Sequence, residues 1–222
     1  MLFAGFARSG MLAAAEGDAA AAASRPFDRS RSGFVLAEGA AMLVLERADL
    51  ALGRGARVYG EIVGCGVGRD RPEYVGGGDP DGQAYHVAAL HALSEGGVSV
   101  SNLGLVSAHA LGMPLTDRAE MRALQALLGS QAASVPVTSI KGTIGHPLAA
   151  AGVLQIVSAL LAMQHGFVPP TANCRTLDSD CRLDVVRHVG RRVKPRTALV
   201  TSHGFGGNGT AIALRVLPDA LR

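Results

Sequence analysis

One run constrains this chain more than any other: SIKGTIGHPLAAAGVLQIVSALLAMQ, residues 139–164. A Lys–Gly–x–x–Gly–His turn leads into a helical stretch with almost no polar face. Between Leu148 and Met163 the only polar side chains are Gln155 and Ser158. A helix at a protein surface carries a polar stripe, so this one needs cover on every side. As a helix it is about 24 Å long, short of a ~30 Å hydrocarbon core, and Gly152 and Gln155 weaken it further as a span. The expectation is a helix buried between two layers of sheet, with no membrane partner.

The rest of the composition agrees. At 222 residues, with 48% hydrophobic, 18% charged and 4% aromatic residues, the chain has the Ala/Val/Leu/Gly profile of a tightly packed α/β protein. The formal charge of +3 comes from scattered Arg, Lys141 and Lys194 being the only lysines. No basic face interleaved with aromatics emerges, which argues against nucleic acid as a partner. Cys65, Cys174 and Cys181 are odd in number and lack metal-ligand spacing, so no metal is expected and a reducing cytoplasm is. The apolar N-terminus lacks a basic n-region and carries Arg8 early, unlike a signal peptide.

Strand and helix patterns alternate along the chain. Residues 1–33 read as an Ala-rich connecting segment and loop, and residues 34–222 as one domain. AAMLVLE (Ala40–Glu46) reads as the first strong strand, and RADLALGRGA after it as a helix. VYGEIVGCGVG is a strand running into glycines. Its Gly64-x-Gly66-x-Gly68 is not a dinucleotide fingerprint, because Asp70, Arg71 and Pro72 open a loop where a helix should follow. After the Gly76–Gly82 loop, QAYHVAALHALSEGG reads as a helix, LGLVSAHA as a buried strand ending at His109, and TDRAEMRALQALLG as a helix capped by Thr116. SVPVTSI is a short strand ending at Lys141, and LVTSHGFGGNGTAIALRV closes the chain as two strands hinged on glycines. The pattern implies a mixed sheet covered on both faces.

Three polar sites fall where strands end, the usual place for an α/β active site: His109, Lys141 with His146, and the Ser202–Asn208 turn. Each alone has a structural explanation, but two His and one Lys at such junctions form a more telling set. His146 precedes Pro147 at the start of the apolar helix. There the helix dipole disfavours a protonated ring and leaves a neutral donor suited to a developing enolate. His86, His91, His165 and His188 fall on helix faces or in turns and are not candidates.

SRPFDRSRSGFVLAEGAAMLVLE, VSAHA, SIKGTIGHPLAAAG, VPPTAN and SHGFGGN follow one another from about Gly5 to Val216 in the order and spacing of the β-ketoacyl synthases, which this chain resembles. The resemblance covers the C-terminal half of such an enzyme and excludes the nucleophilic Cys. It implies one half of a thiolase-like fold, a layered αβαβα architecture with a mixed sheet, in which Leu148–Met163 is a central-layer helix packed between its own sheet and the other half's. Leaving half that helix wet would forfeit burial on the order of 10 kcal/mol at ~25 cal/mol per Å². The implied partners are therefore an N-terminal ketosynthase half carrying the Cys, in a heterotetramer with two copies of each half, and an acyl carrier protein. No cofactor is implied beyond the carrier's phosphopantetheine.

By the same resemblance His109 and His146 hold the extender thioester carbonyl and promote decarboxylation, and Lys141 orients them. The loop of His203, Gly204 and Phe205 forms a gate and half an oxyanion hole. The family's two carrier-arm threonines are Leu111 and Met113 here, a gatekeeping Phe is His203, and a Glu on the central helix is Gln155. Two readings follow: a subunit of a split synthase performing decarboxylative Claisen condensation on carrier-bound malonyl units in fatty-acid or polyketide synthesis, and a non-catalytic subunit like the chain-length factors.

Overall fold

The structure is a computed structural model that describes residues 2–15, 17–74 and 78–217. Its centre is a six-stranded mixed sheet in the order β1-β8-β7-β2-β3-β5. The members are β1 (Glu61–Arg69), β2 (Val106–Ser107), β3 (Pro136–Thr138), β5 (Asp184–Val185), β7 (Thr197–Gly204) and β8 (Asn208–Arg215). A two-stranded ladder joins β4 (Phe167–Val168) to β6 (Arg191–Arg192). β1, β8 and β7 form an antiparallel meander, whereas β7, β2, β3 and β5 run parallel. The C-terminal ends of β2, β3 and β7 therefore open at the same edge, the geometry in which one pocket draws residues from several strand ends.

Helices cover both faces. α3 (Gln83–Glu95) and α4 (Pro114–Leu128) pack on one side through Ala88, Ala92, Met121 and Leu124 against Val106, Val137, Leu199 and Ala211. α6 (Ala151–His165) packs on the other through Ile156, Ala159 and Met163 against Ala198, Val200 and Leu214. Alternate residues of β7 thus face opposite layers, as the period of a strand requires. α1 (Leu2–Arg8), α2 (Ala48–Gly53) and α5 (Lys141–Ile144) are short. α1 lies where the sequence suggested only loop.

The glycines of β1 have a packing role. A Cβ at Gly64, Gly66 or Gly68 would stand 2.1, 1.9 or 2.2 Å from the carbonyl oxygens of Ala92, Ala88 and Ala84. The three glycines and the three alanines of α3 form two facing small-residue stripes, and the helix backbone lies directly on the strand. The Gly-x-Gly-x-Gly run is an interlayer contact.

The strand expected at Ala40–Glu46 does not form. Met42 and Val44 are 91% and 87% exposed, while Leu43 between them packs toward α6. The segment alternates only over Ala41–Val44 and has no ladder among the described residues; β-structure needs a neighbouring strand, whatever the propensity. Nor does Thr116 cap a helix. α4 begins at Pro114, in the first-turn position Pro favours, with Met113 as its cap residue and Thr116 Oγ1 buried without a partner.

A continuous helical stretch, Leu148–His165, is long and apolar enough by composition to cross a membrane. Its Gln155 is instead fully buried and hydrogen-bonded to the sheet. The outer side carries Val153, Leu154 and Val157 half-buried and Leu161 exposed, while Leu160 packs on the sheet-side core. The cover expected on every side is present on one.

Candidate active site

The strand ends bring the candidates together. His109 follows β2, and Lys141 follows β3 as the first residue of α5. His146 is held by its own backbone: its N–H donates to Val35 O at 2.8 Å and its carbonyl accepts from Ala37 N at 3.2 Å. The two imidazoles meet edge to face, with centroids 5.6 Å apart and planes at 90°. Both are buried, and Nδ1 of each has no protein partner. Two buried imidazoles in edge-to-face contact, each with a ring nitrogen left without a protein partner, stand out, because buried polar groups are almost always bonded.

Burial is the main reason both rings stay neutral. It drives His109 well below the usual histidine value, with the Lys141 charge adding to the effect. His146 falls to about 4 for the same two reasons, burial first. His146 is separated from Ala151, where α6 starts, by Pro147 and a 3₁₀ turn over Leu148–Ala150, with Leu148 at φ 48°.

Lys141 is 1% exposed. Its Nζ donates to the His109 carbonyl and, at 3.0 Å, to Gln155 Oε1. The Gln155 amide nitrogen in turn lies 3.1, 2.9 and 3.1 Å from the carbonyls of Ser107, Ala108 and Thr201. On the other side of the same backbone stands Glu120, fully buried, accepting from His109 N at 2.8 Å, Ala110 N at 2.7 Å and Thr201 Oγ1 at 2.6 Å. The peptide joining His109 to Ala110 is thus gripped by an ammonium at its oxygen and a carboxylate at its N–H. Burial pulls Lys141 down to about 8 and pushes Glu120 up to about 7. Asp117 accepts from Leu111 N, Gly112 N and Phe27 N, fixing the loop that follows.

Sequence reading missed Glu120 and Asp117, although both were visible as carboxylates three apart on the face of α4 that also carries Met121 and Leu124.

The residues of the 203–205 turn lie beside the histidines. Phe205 packs at 6.4 Å from His146 and 5.9 Å from Phe34 between ring centroids. His203 turns away from the pair: its Nε2 lies 2.8 Å from Asp70 Oδ2, and its ring stacks on Tyr85. Gly204 ends β7. Leu111 is buried and Met113 half-buried in the loop after His109. None of the cysteines has the setting of a nucleophile: Cys65 is exposed on the edge strand, and burial pushes Cys174 up to about 12 and Cys181 upward.

A half-covered α/β layer carries two neutral histidines, a buried lysine and the turn between β7 and β8 at one end of its parallel strands. The β-ketoacyl synthase C-terminal domain profile matches residues 59–175 and the N-terminal domain profile residues 1–51. The chain belongs to the β-ketoacyl synthase family. It is 42% identical over 200 residues to the tetracenomycin polyketide synthase ketoacyl synthase alpha subunit of Streptomyces glaucescens, covering 90% of this chain and 47% of that protein. Two solved structures superpose closely. One is a type II polyketide synthase acyl-carrier protein in complex with its ketosynthase bound to the hexaketide (TM-score 0.89, 33% identity, 97% of this chain and 52% of that one). The other is the ishigamide ketosynthase/chain length factor (TM-score 0.88, 33% identity, 98% and 51%). The chain spans about half the length of the relatives it matches. The thiolase-like half-fold expected from the sequence is the one observed.

Proposed function

We propose that this chain is the His/Lys/His-bearing part of a split β-ketoacyl synthase that builds carbon chains on carrier-bound units in polyketide or fatty-acid synthesis. The observation that carries this is the buried pair His109 and His146, both neutral and both with Nδ1 unpaired, with Lys141 bracing the backbone of His109. In this reading the two rings donate to the thioester oxygen of a malonyl unit on an acyl carrier protein. As the carboxylate leaves as carbon dioxide, the C–C bonding electrons become an enolate whose charge those donors stabilise. Lys141 acts through the His109 carbonyl, as a positioning group. The backbone N–H groups of the 203–205 loop supply half of an oxyanion hole.

The acyl chain itself is held by a thiolate of an N-terminal ketosynthase half. That half rests its sheet and helix on the uncovered side of α6 and beside residues 40–46, whose Met42, Val44 and Leu45 are exposed. The assembly contains two copies of each half and works in the cytoplasm, with phosphopantetheine as the carrier's arm.

The chain, combined with its N-terminal half and a malonyl-loaded carrier protein, is expected to release carbon dioxide, and His109→Ala is expected to abolish it. Release that His109→Ala leaves unchanged refutes the reading. A second reading, a non-catalytic subunit shaping the acyl tunnel, is favoured by Leu111 and Met113 in place of hydroxyls. It is the one left standing if His146→Ala leaves product formation by the full complex intact.

A further inference from the structure

Gln155 is fully buried inside α6, and both ends of its amide are used. Oε1 accepts from Lys141 Nζ at 3.0 Å, and Nε2 donates toward the carbonyls of Ser107, Ala108 and Thr201 at 3.1, 2.9 and 3.1 Å. One end must accept and the other donate, a pattern that an amide meets in a single orientation. A carboxylate would turn one oxygen toward three carbonyl oxygens, and an apolar side chain would leave the ammonium one acceptor fewer. The two oxygens that Lys141 Nζ bonds, the His109 carbonyl and the Gln155 amide, are both neutral. The charges facing it are Glu120 and Asp117, both from α4 and both fully buried, and Arg31 lies 3.8 Å from Asp117. His109 after β2 and His146 after α5 feel the lysine's charge in turn. A buried ammonium bonded to neutral oxygens gives up its proton more readily than one paired with a carboxylate. Lys141 accordingly titrates below the ordinary lysine range, burial being the main cause.

We propose that Gln155 is a positioning residue that makes the placement of His109 depend on the proton of Lys141: its amide holds the ammonium against the His109 carbonyl but leaves the charge unneutralised. With the proton on, a charged donor grips the peptide that carries the imidazole. With the proton off, that grip falls to an ordinary neutral hydrogen bond, and the ring loses its brace. Decarboxylation then fades on the alkaline side of the Lys141 midpoint. The inference deepens the ketosynthase reading and rests on it for the reaction that the histidines perform.

Lys141 and Lys194 are the only lysines, so the full chain isotope-labelled at lysine Cε gives two signals in a magnetic-resonance titration, and Lys194→Arg assigns them. In wild type the Lys141 midpoint is expected below the usual lysine value, with the His109 ring signals moving at the same midpoint. Gln155→Glu should raise that midpoint by about one to three pH units, Gln155→Met should lower it, and the His109 signals should follow both. Opposite shifts from two substitutions at one buried position are not what lost packing produces. In the assembled synthase the alkaline limb of carbon dioxide release should move with the midpoint. A midpoint unchanged in both variants overturns the proposal. So do His109 signals blind to the lysine titration, a result the wild type gives even if neither variant folds. Coupled titrations in a chain whose assembly releases no carbon dioxide would leave the positioning role standing and sink the condensation reading. His109-dependent release with one pH profile for wild type and Gln155→Glu would do the reverse.

Discussion

Gly66→Ala tests whether the glycines of β1 exist to let α3 lie on the sheet. The new methyl would stand 1.9 Å from Ala88 O and 2.8 Å from both Ala88 C and Ala92 N. Ordinary carbon contacts begin near 3.5 Å, so the helix or the strand must retreat by more than an ångström. The obstacle is main chain, which cannot swing aside as a side chain would. Gly64 and Gly68 make the same approach one step either way, so lifting the helix at one point opens the contact along three turns. Overpacking of a core costs about 1–3 kcal/mol where side chains can adjust; here the loss should be at least 3 kcal/mol. Urea unfolding of the assembled protein followed by circular dichroism measures it. Gly152→Ala is the matched control. Its methyl meets nothing within 4 Å, and the residue lies inside α6, so it should be neutral or stabilising by up to ~1 kcal/mol. Adding Ala88→Gly to Gly66→Ala should rescue little, because the clash is with the Ala88 carbonyl. A loss below ~1 kcal/mol for Gly66→Ala, or full rescue by Ala88→Gly, would refute the close-packed stripe.

Two titrating groups should pull stability in opposite directions in mild acid. His146 has a folded value of about 4 against a usual 6.5. Its contribution is complete above pH 6.5 and lost as pH falls through 4, by about 3 kcal/mol; His146→Gln should remove that slope in urea titrations from pH 7 to 4. Glu120, raised from 4.5 to about 7, contributes fully below pH 4.5 and loses that contribution as pH rises through 7, so Glu120→Gln should flatten the opposite slope. Identical pH profiles for wild type and both variants would contradict these environments. Thr116→Ala should cost less than the ~1 kcal/mol typical of a lost cap, since its hydroxyl is buried and unbonded inside α4; a loss of 1 kcal/mol or more in thermal unfolding would restore the capping role.

Much of this protein was determined by local sequence. The run from Leu148 to Met163 dictates an apolar helix that a sheet must cover, and β7 and β8 cover one side of it. The alternation of strand and helix patterns dictates a covered mixed sheet, and chemistry-bearing residues at strand ends dictate where a site can form. His109, Lys141 and His146 were legible for that reason: parallel strands deliver their C-terminal ends to one edge, so residues 109 and 141 must meet.

Only the tertiary structure decided the rest, because it depends on neighbours far away in the chain. Ala40–Glu46 has strand propensity but no ladder among the described residues, and a ladder takes two strands. Glu120 reads as an ordinary helix carboxylate until the fold puts His109 N, Ala110 N and Thr201 Oγ1 around it. The neutral state of His146 comes from burial, with Phe34 and Phe205 against its ring, and from the Lys141 charge. The glycine run of β1 acquired its meaning from the carbonyls of α3. Periodicity is a property of consecutive residues and survives in the sequence; burial, pairing and pKa are properties of what packs against them, and those are set only when the layers close.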